Sequence, residues 1–97
     1  MGTASFSVGK SRPNGTKASS LRTSGAFTTS ITAANLEDGS GDINLSAGEL
    51  IRIHADEAMR VSFGGTATAS TGHYIPAGGI IEIECTDPGL VSIIDVA

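Results

Sequence analysis

The clearest signal in the chain is a period of two. In residues 49–55, ELIRIHA, Ile51 and Ile53 alternate with Arg52 and His54. In residues 59–64, MRVSFG, Met59, Val61 and Phe63 alternate with Arg60 and Ser62. Alternation of this kind sends one set of side chains to each face of a pleated strand. The short DEA link between the two segments predicts a β-hairpin. IIEIECT repeats the pattern, with Ile81, Ile83 and Cys85 opposite Glu82 and Glu84.

Other segments read as strands with less force. TASFSV, residues 3–8, places Phe6 and Val8 on one face. AFTTSITA, residues 26–33, does the same with Phe27, Thr29 and Ile31. HYIPAGG is a strand that stops at Pro76, and GGTATASTG reads as an exposed loop or a weak edge strand. In the closing LVSIIDVA, Val91 and Ile93 share one face while Ile94 and Val96 fall on the other. Either a bulge separates the two pairs or both faces of this strand are covered. The second option makes Ile94 and Val96 candidate subunit contacts. No segment sustains a helical period, and TAANLED has room for a single turn. Short strands spaced roughly 8–12 residues apart by Gly/Pro turns predict an all-β domain, a small sandwich or barrel of jelly-roll type.

One segment breaks the pattern. Residues 9–25, GKSRPNGTKASSLRTSG, hold Lys10, Arg12, Lys17 and Arg22 but only one large aliphatic residue, Leu21. Pro13 and Asn14-Gly15 are turn signals. So little apolar surface cannot offset the entropy of ordering, which predicts an arm that is extended or disordered in the free protein. The expected division is therefore a basic N-terminal arm over residues 1–25 and a β domain over residues 26–97.

Charge sharpens this reading. Residues 1–36 carry four basic residues and no acid, a charge of +4; residues 37–97 carry two basic and ten acidic residues, a charge of −8. Segregation on this scale suggests a partner for the basic end. Ninety-seven residues make one small domain, whose thin stability margin favours burial against a partner. One cysteine, Cys85, excludes an internal disulfide, and its apolar surroundings predict a buried thiol. Residues 1–25 contain no apolar signal-peptide core, and no apolar run approaches a membrane span. Synthesis in a reducing cytoplasm is expected, with no membrane partner.

Candidate chemistry is sparse. His54, Asp56 and His73 are the nearest thing to metal ligands, but a site needs them to converge with a supporting shell. IHADE followed by HYIPAGG is faintly similar to the cupin barrels, yet Asp56 stands where a second His belongs. Asp56 and Glu57 are adjacent in a turn and not opposed across a cleft, as catalytic carboxylates must be. FGGTATASTG lacks the Lys and the following helix of a phosphate loop. No metal, no cofactor and no enzymatic activity are expected. The basic segment 9–25 has no aromatics on which to stack bases, which argues against nucleic acid and for an acidic protein surface.

The C-terminal half, roughly residues 49–97, resembles a family of short tailed-phage virion proteins associated with heads, which includes capsid decoration (cement) proteins. The resemblance lies in IRIHADEAMRVSFGGTATASTGHYIPAGGIIEIECTDPGLVSIID: a strand, a turn, RVSFG, a Thr/Ala-rich loop, IPAGG, a charged strand and a final Val/Ile strand. It covers about half the chain. It implies a non-enzymatic protein on the outer surface of the virion capsid, bound to the major capsid protein as a homotrimer at threefold sites. Within that picture the arm is the adhesive element, with Lys10, Arg12, Lys17 and Arg22 expected to supply the electrostatic part and Phe6, Val8 and Leu21 the apolar anchors. Competing readings are another virion part (neck, head fibre or tail), a cupin-like binding domain, and a nucleic-acid-binding accessory protein.

Overall fold

A computed structural model describes residues 2–11, 18–38, 41–68, 70–85 and 88–96; for residues 10, 11 and 18–22 it describes the backbone alone. The elements are β1 (Thr3–Ser11), β2 (Ala18–Thr28), β3 (Ala34–Asn35), β4 (Asn44–Leu45), β5 (Glu49–Ala55), β6 (Met59–Phe63), β7 (His73–Ile75), β8 (Ile80–Glu84) and β9 (Gly89–Asp95). They form an all-β domain of two antiparallel sheets. One has the order β2-β1-β5-β8; the other has β3-β9-β6-β7, with β4 also pairing β9.

The alternation read from the sequence is the alternation of burial. Ile51, Ile53 and Ala55 are buried while Arg52 and His54 are exposed; Met59 and Val61 are buried in the same way. A single hydrophobic cluster draws Ala4, Phe6, Val8, Ile51 and Ile53 from the first sheet and Met59, Val61, Ile75, Val91 and Ile93 from the second. Leu36, Ile43 and Leu45 join it from the segment before β5, and Ala55 and Cys85 also belong to it. Each fully buried aliphatic side chain stabilises by about 1.5–3 kcal/mol relative to its exposed state.

The hairpin expected over residues 49–63 does not form. β5 pairs with β1 and β8, and β6 pairs with β7 and β9, so Asp56-Glu57-Ala58 carries the chain from one sheet to the other. A period of two states which face of a strand is buried, not which strand lies beside it. The corner is held from both sheets. The Thr3 amide donates to Asp56 Oδ1 at 2.7 Å, the Asp56 amide donates to the Thr3 carbonyl at 3.3 Å, and the Val96 amide donates to the Ala58 carbonyl at 2.9 Å. Gly2 fits here because it has no side chain: a Cβ would lie 2.8 Å from Met59 Cε and 2.9 Å from Asp56 Oδ1.

The expected arm is also corrected over its described part. β1 lies between β2 and β5, so residues 3–11 belong to the first sheet and the expected boundary at residue 25 falls inside β2. The physical reason is backbone pairing. A Ser/Gly-rich segment that buries little of its own is ordered once a neighbouring strand takes its amides and carbonyls, and β1 supplies them. Gly25 sits directly opposite Phe6, where a Cβ would meet the ring at 3.2 Å. The pairing slips twice. Val8 faces Thr23 but Gly9 faces Leu21, and Lys10 faces Ser20 but Ser11 faces Ala18. Arg22 and Ser19 are thus extra residues of two bulges, and only Thr23–Thr28 of β2 is regular.

Two smaller expectations change. The strand predicted over residues 26–33 ends at Thr28, and Ile31 is 76% exposed and off the face of Phe27 and Thr29. TAANLED makes no helical turn. It contains β3, and Glu37 forms an isolated bridge with Asp42.

Candidate interaction surface

The residues singled out for chemistry do not converge. His54 is exposed on the outer face of β5. Asp56 holds the corner by accepting the Thr3 amide. His73 lies in β7 of the other sheet, edge-on to Phe63 with ring centroids 5.5 Å apart. Among the described residues no three His, Cys, Asp or Glu side chains gather as a metal site. Cys85 is buried, at 6% exposure.

The residues assigned to the arm divide into two groups. Phe6 and Val8, expected as anchors for a partner, are 4% and 0% exposed and belong to the core. They are therefore spent within the chain. Arg12 and Lys17 lie outside the described residues, as do the side chains of Lys10, Leu21 and Arg22. The backbone places Lys10 near the end of β1 and Arg22 at a bulge in β2.

The expected subunit contact behaves similarly. Ile94 is 8% exposed within the single chain, and Val96 is half-buried. The segment after β6 folds back over this side of β9, where the Ala67 amide donates to the Ser92 hydroxyl at 3.0 Å. Arg60 faces Ile94 in the register, donates to the Gly72 carbonyl at 3.1 Å and sits over the Tyr74 ring at 5.3 Å. Both faces of β9 are covered, as one reading of LVSIIDVA required, but the cover comes from the same chain.

What remains open is the first sheet. Its outer face reads across the strands as Ala26-Ser5-His54-Ile80 in one row and Ser24-Ser7-Arg52-Glu82 in the next. Ser5, Ser7, Arg52, His54 and Ile80 border an open groove of roughly 260 Å³. Arg52 and Glu82 approach to 4.0 Å, with side chains 51% and 41% exposed, so their attraction is screened and worth little. Ile80 is 50% exposed. The edges are open too. β2 and β8 are the terminal strands of this sheet, and no described strand lies beyond either. Sequence reasoning missed these edges because position within a sheet is set by pairing; the exposed Ile80, out of phase with Ile81 and Ile83, was the one available hint.

No family model, curated protein or solved structure matches the chain.

Proposed function

We propose that the protein is a capsid decoration protein that binds the outer surface of a phage head as a homotrimer at threefold sites and stabilises the shell, with the two sheets as the faces of a small jelly-roll-like sandwich. The observation that carries this reading is the segregation of charge. All four basic residues of the first 36 fall between positions 10 and 22, and the rest of the chain carries −8. Of these, the backbones of Lys10 and Arg22 lie toward the end of the β1–β2 pair away from the Thr3–Thr28 end that is tied to the corner. A cationic segment in an otherwise anionic chain is suited to docking on an acidic protein surface such as the major capsid protein. Phe6 and Val8 belong to the core, and the adhesive role passes to Lys10, Arg12, Lys17 and Arg22. Three such segments per trimer add avidity.

Co-sedimentation with purified heads at low and high salt tests the reading. Arg12→Glu combined with Lys17→Glu reverses two of the four positive charges. Binding is expected to be salt-sensitive and to be lost in this double variant. Undiminished binding overturns the assignment of the basic group, and no binding of the unmodified protein overturns the decoration reading.

A further inference from the structure

The alternation of backbone hydrogen bonds fixes which groups of the open edges point outward. The Thr29 amide donates to the Gly2 carbonyl, so Gly2 and Thr29 are a hydrogen-bonded pair. Bonded and non-bonded pairs alternate along an antiparallel ladder. Ala4, Phe6 and Val8 therefore bond Phe27, Gly25 and Thr23, which turns the amides and carbonyls of Ser24, Ala26 and Thr28 away from β1. At the opposite edge, the Cys85 amide donates to the Glu49 carbonyl and the Ala55 amide to the Gly79 carbonyl. These bonds bracket β8 and assign Ile81 and Ile83 to β5, leaving Ile80, Glu82 and Glu84 with outward backbone groups.

The two edges are complementary. Each presents three outward residues at alternate positions, and on both edges these are the residues of the outer face. The sheet has four strands that alternate in direction, so a copy placed beside it by rotation about an axis along the strands brings its β8 antiparallel to β2. Antiparallel alignment sets the C-terminal, acidic end of β8 beside the N-terminal, basic end of β2. Core-facing Phe27 at one edge and Ile81 and Ile83 at the other are each only partly buried and pack against the core cluster. Joining the edges extends that cluster. Pairing like with like does worse: β8 on β8 sets Glu82 opposite Glu82, and β2 on β2 gains no opposite charge and leaves Ile80 uncovered.

We infer that a second copy of this chain adds its β8 to the β2 edge, antiparallel, with Ser24 facing Glu82 and Ala26 facing Ile80, so that Arg22 and Glu84 fall at one level. The contact is head-to-tail: each copy uses β2 toward one neighbour and β8 toward the other. Such a contact repeats until the rotation closes a ring. It rests on the trimer in the proposed function, for which it names the interface, and is independent of capsid binding. The bulges at Ser19 and Arg22 limit the docking edge to Thr23–Thr28, which restrains unlimited sheet growth.

Cross-linking in a Cys85→Ala background tests the inference. Ser24→Cys and Glu82→Cys, each prepared alone and mixed, are expected to give disulfide-linked heterodimers under mild oxidation. Neither variant alone is expected to link. The double variant is expected to run as a covalent multiple of the 9.7 kDa chain. Ala26→Pro removes an outward amide while sparing the bonds to β1. It is expected to sediment as a folded monomer where the unmodified protein sediments as a multiple. Linking of either single variant with itself, or a monomeric unmodified protein that does not cross-link in the mixture, overturns the inference. Capsid binding by such a monomer would leave decoration standing and remove this interface; a cross-linked ring that ignores heads would do the reverse.

Discussion

Phe6 separates two accounts of the N-terminal segment, and Phe6→Ala is the decisive perturbation. On an arm, the change would leave fold stability untouched. In the structure the ring is 4% exposed, lies opposite Gly25 on one side and Ile53 on the other, and belongs to the cluster shared by both sheets. Truncation removes the ring from between two paired strands, whose backbone bonds prevent them from collapsing into the space. Buried Phe→Ala changes cost about 3–5 kcal/mol, and a site that cannot relax belongs near the upper end. A domain of this size has roughly 5–15 kcal/mol in total. With a urea m-value of about 1–3 kcal/mol/M, the unfolding midpoint should fall by about 1 M or more at unchanged m. The melting temperature should fall by about 12 °C or more, since each kcal/mol is worth roughly 4–8 °C here. The assay is urea unfolding followed by far-ultraviolet circular dichroism, with a thermal melt as the second probe. Gly25→Ala supplies a control through a double-mutant cycle. Its Cβ would meet the Phe6 ring at 3.2 Å, so it should be better tolerated once that ring is gone. A Phe6→Ala effect within about 0.5 kcal/mol, the range of surface substitutions, would refute the packing of β1 described above.

Gly72→Ala should destabilise more than Gly78→Ala in the same melts. Both glycines have positive φ, +107° and +78°, but a Cβ at Gly72 would lie 2.8 Å from the Val61 carbonyl oxygen while Gly78 faces open space. Left-handed strain alone costs about 1–2 kcal/mol, so Gly72→Ala should exceed that figure and Gly78→Ala should not. Thr29→Val keeps the shape but removes the hydroxyl that donates to Asp95, and both residues are buried. Removing the donor to this buried carboxyl group should cost about 1–3 kcal/mol in urea unfolding, and a neutral result would show that the bond contributes nothing net.

The proposed surfaces were legible to different degrees. The charge of residues 10–22 is a property of composition and needed no fold. The open edges were invisible, because SSLRTSGAFT has no strong strand pattern of its own and becomes a strand only against β1. Ile94, expected at a subunit contact, is 8% exposed within the single chain for a related reason. The sequence revealed that both faces of LVSIIDVA wanted cover, but the cover comes from a small-residue loop whose fold over Ser92 no periodicity announces.

By itself the sequence determined the class of the fold and the inward residues of β5, β6, β8 and β9, because alternation encodes which face of a strand leaves water. It also determined where the positive charge lies. Only the tertiary structure decided which strands are neighbours. Asp56-Glu57-Ala58 spans two sheets instead of closing a hairpin, and Phe6 and Val8 serve the core instead of a partner. The physical reason is that strand pairing is made by backbone amides and carbonyls. Nearly every residue carries these groups alike, so the choice of partner is settled by how the whole chain buries its apolar faces at once.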